Sequence, residues 1–231
     1  ERGKSILAQL DDTCLEVRRL GQGAEGRLRV GFVGSATFGI LPNIIKSFRA
    51  NYPEVNLSLL PMNNAQLHRA LISREIDVAF SRPELHDSEF ITKHLLEEPL
   101  IAAVPDTLEV NGPGGLDLRT LKAPSLILYP EFPRPSFADV VLSYCKTMGV
   151  DTSRRVWTMD LQTALSLVSI GEGICVVPAS VGTATRNGMR FHKINPPLGV
   201  TSLSVNYRLD EQGRHINNFI RIAQSVARKT I

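Results

Sequence analysis

The sequence predicts an α/β protein built as two similar lobes, and three observations carry that expectation. From residue 26 onward, short apolar or alternating runs of strand character are separated by segments whose apolar residues recur at helical spacing. The first such segments read βαβαβ, the rhythm of a mainly parallel sheet covered by helices. The strand–helix rhythm then runs a second time without any repeat in the letters, which points to a second lobe of the same kind.

Element by element, residues 1–20 read as an amphipathic helix, with Ile6, Leu7, Leu10, Cys14, Leu15, Val17 and Leu20 among charges. The glycines of "GQGAEG" (21–26) break it. "RLRVGFVGS" is a strand. "GILPNIIKSFRANYP" is a helix with Ile40, Leu41, Ile44, Ile45 and Phe48 on one stripe, stopped at Tyr52-Pro53. "VNLSLLPM" alternates as a strand, "NAQLHRALISREI" is a helix and "DVAFSR" a strand. "ITKHLLEEPLIAAVP" is a further strand, and the Gly/Pro-rich "NGPGGLDLRTLKAP" a loop leading into a short helix. "SLILYP", "RRVWTM" and "ICVVPAS" are strands, separated by the helices "RPSFADVVLSYCKTMGV" and "DLQTALSLVSIGEG". Gly171 and Gly173 close the latter helix. "MRFHKI" and "TSLSVNYRL" are the last strands, and "GRHINNFIRIAQSVARKTI" is a final helix with Ile216, Phe219, Ile220 and Ala223 facing inward.

Composition narrows the function classes. The 231 residues suffice for one large or two small cores, and 43% hydrophobic with 21% charged residues is an ordinary globular balance. No apolar run reaches the length of a membrane span, and the opening residues are too charged for a signal peptide. Cys14, Cys145 and Cys175 are widely spaced and odd in number, the pattern of reduced thiols in a cytoplasmic protein. The net charge of +3 comes without a Lys/Arg cluster, so composition gives no nucleic-acid surface.

Catalytic signatures are missing: no nucleophile elbow, phosphate loop or zinc-protease motif is present. Gly21, Gly23 and Gly26 imitate a dinucleotide fingerprint, but they precede the first strand instead of following it. His68, His86, His94, His192 and His215 lack ligand spacing, and Asp77 reads as a turn residue. What remains is a set of hydroxyls and amides where strands give way to helices: Ser35, Thr37, Asn63, Asn64 and Ser136. Helix starts leave N–H groups unpaired and carry partial positive charge, so a hydroxyl beside them completes a seat for a carboxylate. Such loops lie at the carboxyl ends of strands, where open α/β sheets bind ligands. Simple capping explains each residue equally well.

"GRLRVGFVGSATFGILPNIIKSFRANYPEVNLSL" (26–59) with "LHRALISREIDVAFSR" (67–82) resembles the effector-binding region of LysR-type transcriptional regulators. "ILYPEFPRPSFADVV" (127–141) and "LQTALSLVSIGEGICVVPAS" (161–180) fit the same family, most like the branch that controls aromatic catabolism and responds to muconate or chloromuconate. The resemblance covers residues 26–231, and residues 1–25 are similar to the end of that family's linker helix. It implies two Rossmann-like lobes joined by two crossover strands, as in type II periplasmic binding proteins. Lobe I would be 26–102 plus 206–231 and lobe II 103–205, crossing near Ala102–Val104 and Val205–Tyr207. A planar dicarboxylate effector would lie between the lobes. The implied contacts are Ser35, Ala36 and Thr37 in the first loop, Asn64 in the second, Pro135, Ser136 and Phe137 in the third, and Arg82 close by. No cofactor or metal is implied. Partners would be further copies of the chain, as dimer or tetramer through "PNIIKSFRANY" and "FADVVLSYCKTM", and DNA only through an N-terminal domain outside this chain. Asn63-Asn64, where many members have Ser or Thr, and Glu75, where Gly is common, depart from the pattern. A transporter's solute-binding protein, which shares the architecture, and an enzyme of this fold are the alternatives.

Overall fold

The computed structural model describes residues 26–109, 114–121, 125–211 and 213–230. The expected first helix, Cys14 and most of "GQGAEG" lie outside the described residues.

Lobe I begins with β1 (Gly26–Phe32), a 3₁₀ turn (Gly34–Phe38), α1 (Leu41–Asn51), β2 (Val55–Pro61), α2 (Asn64–Ile72) and β3 (Val78–Ser81). β1 lies between β2 and β3, parallel to both. The apolar stripe read from the sequence explains where α1 lies. Leu41, Ile44 and Phe48 are buried on one face of the sheet with Leu28, Val30, Val78 and Phe80. Pro42 falls in the first turn of α1, where its missing N–H costs no intrahelical bond. α5 (Arg214–Thr230) shares this face through Ile216, Phe219, Ile220, Ala223 and Ala227. Phe48 meets Phe219 edge to face at 5.0 Å. α2 covers the opposite face with Leu67, Ala70 and Leu71 over Ile76 and Ala79. Truncating a fully buried Phe such as Phe48 or Phe80 would cost about 3–5 kcal/mol.

Lobe II contains β5 (Leu126–Leu128), α3 (Phe137–Thr147), β6 (Arg155–Trp157), α4 (Leu161–Ser169), β7 (Ile174–Pro178) and β8 (Met189–Lys193). β5 runs parallel to β6 and β7. One core takes both helices, with Val141 and Cys145 from α3 and Ala164, Leu165 and Val168 from α4. Gly171, at φ +89°, follows α4 as the expected left-handed stop.

Two strands carry the chain between the lobes. β4 (Phe90–Pro105) pairs antiparallel with β9 (Val200–Arg208) over Phe90–Pro99, then with β7 and β8 from Leu100 on. β9 in turn runs antiparallel to β3. Leu198 packs in the lobe II core and Leu203 in the lobe I core. The strand partners thus change at Pro99–Leu100 and ahead of Val200, earlier in the chain than Ala102–Val104 and Val205–Tyr207.

The sheet order is β2-β1-β3-β9-β4-β7-β5-β6, with β8 beside β4. This is a mixed sheet, not a mainly parallel one, because the strands that return between lobes run against their neighbours. The short helix expected before Ser125 is, over its described residues, a turn in which the Thr120 N–H donates to the Asp117 carbonyl at 3.2 Å. Asp77 is a structural anion. Its carboxylate accepts from the Arg29 backbone N–H at 2.8 Å and from the Arg29 guanidinium at 2.6 and 3.1 Å, joining the start of β3 to β1.

Candidate functional site

A cavity of about 360 Å³ opens between the lobes at the carboxyl ends of the strands. Lobe I lines it with Val33, Gly34 and Ser35 after β1, Pro61 at the end of β2, Met62 to Asn64 and Gln66 beyond it, and Arg82 after β3. Lobe II faces these with Tyr129, Pro130, Pro133, Ser136 and Phe137 between β5 and α3, and Met159 to Gln162 at the start of α4. Each group follows a strand whose end points the next loop at the same crevice.

Of the eight residues expected here, Ser35, Asn64, Arg82, Ser136 and Phe137 line the cavity. Ala36, Thr37 and Pro135 do not. Ala36 is fully buried with the α1 core, because the 3₁₀ turn points it inward. The Thr37 hydroxyl donates to the Gly34 carbonyl at 2.8 Å and is exposed, and Pro135 faces solvent. Tyr129, Asp160 and Gln162 line the cavity as well, and no motif marks them in the sequence. They follow β5 and β6 as Ser35 follows β1, so the same rule about strand ends reaches them.

The polar residues play different parts. Ser35 is 6% exposed, and its hydroxyl makes no hydrogen bond among the described residues. Asn63, not Asn64, caps α2: it accepts from the Gln66 N–H at 3.0 Å, and the Gln66 side chain accepts from the Asn63 N–H at 2.9 Å. Asn64 is a clamp. Its amide donates to the Pro83 carbonyl at 2.7 Å and accepts from the Arg82 N–H at 3.1 Å. The Ser136 hydroxyl donates to the Pro130 carbonyl at 3.2 Å, while the Ser136 N–H donates to Asp139 at 2.6 Å.

The helix starts are electrically unequal. Asp160 accepts from the Thr163 N–H at 2.9 Å, so α4 carries its own anion. Asp139 does the same for α3, and its pair with Arg134 holds the carboxyl below the usual range. α2 has only neutral caps and no acid in its first turn. The lobe I side therefore keeps more of its positive dipole end for an anionic ligand.

Arg82 lines the cavity from a buried position. Its side chain is 2% exposed and paired with Glu98 of β4. Nη1 also donates to the Thr201 carbonyl of β9 at 3.4 Å. Burial lowers the Arg82 pKa, and Glu98 opposes that shift. The other Glu98 oxygen accepts from the Ser180 N–H of lobe II at 3.1 Å. One carboxylate so joins Arg82 to both lobes. Phe137 and Tyr129 stack at 5.4 Å and give the cavity an apolar wall.

Nothing in this arrangement pairs a nucleophile with a base. Cys145 and Cys175 are buried, and burial raises both thiols, Cys145 to about 11. Among the described residues, no group of three His, Cys, Asp or Glu can hold a metal, and no helix is long and apolar enough to cross a membrane.

Residues 21–228 match the LysR substrate binding domain. The chain belongs to that family. It is 37% identical to the transcriptional regulator CatR of Pseudomonas putida over 192 residues, 83% of this chain and 65% of CatR. The chain therefore spans just under two thirds of that relative. The effector-binding domain of BenM, solved with its effector benzoate, superimposes with a TM-score of 0.76 at 29% identity, covering 89% of this chain and 92% of that one. Full-length CbnR, solved with its target DNA, gives 0.85 at 26% identity over 97% of this chain and 79% of CbnR. These LysR effector-binding domains share the type II periplasmic-binding-protein architecture of two Rossmann-like lobes. The named relatives are regulators, neither transport proteins nor enzymes, which removes support from both alternatives raised by the sequence.

Proposed function

We propose that this chain senses a small organic dicarboxylate of aromatic degradation, of the muconate type, for a transcriptional regulator. The observation that carries the reading is the cavity between the lobes, with donors on its lobe I side and an aromatic wall opposite. Its volume suits a flat acid of muconate size. Ser35 and the start of α2 hold a carboxylate, Phe137 and Tyr129 cover the diene, and Asn64 acts through the backbone of Arg82. That BenM's domain was solved with benzoate supports an aromatic-pathway acid. The bound acid shifts the angle between lobes only by its difference in affinity for the two arrangements. Chains pair as dimers or tetramers through α1 and α3, and DNA is contacted by an N-terminal domain of the whole protein, in the cytoplasm.

Calorimetric titration with cis,cis-muconate, its chlorinated forms and benzoate tests this. Saturable binding of a diacid, stronger than that of benzoate, is expected. A panel without any saturable binding overturns the proposal.

A further inference from the structure

The cavity wall at Arg82 and Tyr129, and the chain packed behind it, hold buried polar atoms that have no partner among the described residues. Arg82 Nε and the hydroxyls of Tyr129, Ser180 and Thr201 are all buried without a hydrogen-bond partner among the described residues. These four residues are connected. Arg82 bonds to Thr201 and to Glu98, Glu98 bonds to Ser180, and Tyr129 lies within the electrostatic reach of Arg82. Arg82 and Tyr129 also line the cavity. A buried hydroxyl without a partner carries an uncompensated desolvation cost, so such a cluster marks a place for a polar group from outside the chain.

We infer that Tyr129 is a specificity-determining residue, whose hydroxyl donates, together with Arg82 Nε, to the second carboxylate of the effector. This rests on the proposed function and adds to it which residues take the other end of the ligand. The first carboxylate is held by Ser35 and the start of α2. The second reaches the wall at Tyr129, where it competes with Glu98 for Arg82. A diacid satisfies both ends. A monoacid or a half-ester leaves Arg82 Nε and the Tyr129 hydroxyl unpaired, and the site discriminates against it for that reason. Burial raises the Tyr129 pKa well above its ordinary value, so the phenol keeps the proton that it donates.

The test is Tyr129→Phe, which deletes one oxygen and keeps the ring against Phe137. The 231-residue chain is titrated with cis,cis-muconate and with its monomethyl ester, and melted without ligand. Three results are expected. The variant loses about ten- to a hundredfold in affinity for the diacid, the scale of a hydrogen bond to a charged group. It loses little for the ester, which has no second carboxylate to offer. Without ligand it melts no lower than the wild type, because the hydroxyl has no hydrogen-bond partner among the described residues. Equal loss for diacid and ester overturns the inference, as does unchanged diacid affinity, which leaves only ordered water on the hydroxyl. A clearly lower melting temperature overturns it too, since the hydroxyl then has a partner within the protein. A wild type that binds neither compound overturns the muconate reading itself.

Discussion

Asn64 holds the backbone on both sides of the Arg82–Pro83 bond, accepting from Arg82 N–H at 3.1 Å and donating to the Pro83 carbonyl at 2.7 Å. The start of α2 and the end of β3 are thereby fixed to each other, and Arg82 is held in the cavity lining. Asn64→Ala removes both bonds and should cost about 1–3 kcal/mol of stability. Affinity for a carboxylate ligand should fall as well, although Asn64 need not touch it. Asn64→Asp keeps the acceptor for Arg82 but sets a carboxylate oxygen against the Pro83 carbonyl, so it should be no more stable than Asn64→Ala. Urea unfolding of the three chains checks this. An Ala variant as stable as wild type would leave the clamp without consequence.

The ion pair of Arg82 and Glu98 gives a second expectation. Arg82 is nearly enclosed, so removing its counter-charge leaves a buried cation. Glu98→Gln keeps the shape of the side chain and should still destabilise by about 3–5 kcal/mol, the cost of breaking one partner from a buried pair. The same change frees the guanidinium for a ligand. Binding of a diacid should therefore tighten while the melting temperature drops. Loss of both stability and affinity would show that Glu98 assists the ligand instead of competing with it.

The order of strands and helices was legible because period and punctuation are local. The stripe of Leu41, Ile44 and Phe48, the stop at Gly171 and the nine strands of the described residues are found where the sequence puts them. Strand direction was not legible. A run such as β4 is continuous in the letters, and only pairing shows that it leaves one lobe at Pro99 and enters the other at Leu100. The cavity was half legible. Ser35, Asn64 and Ser136 follow from their places between strands and helices, and Arg82 and Phe137 from the family resemblance, yet the division of labour between Asn63 as cap and Asn64 as clamp depends on which amide points at Pro83. Tyr129 and Asp160 obey the same rule about strand ends and were hidden among ordinary strand and cap residues.

Phe137 both lines the cavity and belongs to the lobe II core, where it is 5% exposed. Phe137→Ala should accordingly lose about 3–5 kcal/mol of stability, and any loss of ligand affinity would be mixed with partial unfolding. Phe137→Leu is the informative change: it keeps most of the buried volume and removes the ring beside Tyr129. It should lower ligand affinity with under about 1.5 kcal/mol of destabilisation. Ser35→Ala, with no hydrogen bond to lose among the described residues, should weaken binding by about 0.5–1.5 kcal/mol with melting unchanged. Calorimetry beside thermal melting separates the two effects, and a Leu variant that binds as wild type would remove Phe137 from the site.

Acid sensitivity should arise in part at α3. The Asp139 carboxyl lies below its ordinary value, chiefly through Arg134 and also through the Ser136 N–H. A carboxyl lowered on folding stabilises fully above its unfolded value, near pH 4, and loses that contribution as pH falls through the lower folded value. Asp139→Asn cannot titrate. Its deficit against wild type should be complete at pH 7, shrink below about pH 4 and vanish once the pH has fallen below the lowered folded value. Denaturant midpoints across that range read it directly, and a deficit that does not change with pH would place the role of Asp139 in packing.

At the second crossing between lobes, a Cβ on Gly199 would lie 2.5 Å from Cζ of Tyr144. The ring cannot simply swing aside, because its hydroxyl donates to the Val200 carbonyl at 3.0 Å, the next residue along the crossing strand. Tyr144 belongs to α3, so one side chain ties a lobe II helix to the strand on which the lobes would turn. Gly199→Ala must push the ring off or bend the strand, at about 1–3 kcal/mol, the usual cost of overpacking. Tyr144→Ala removes the obstruction, so the double variant should be more stable than the sum of the single losses predicts. A strictly additive cycle would mean that the two residues do not oppose each other. If the lobes also turn on this strand when a ligand binds, Gly199→Ala should change ligand affinity although it lies outside the cavity lining, and calorimetry on the same four chains measures that coupling.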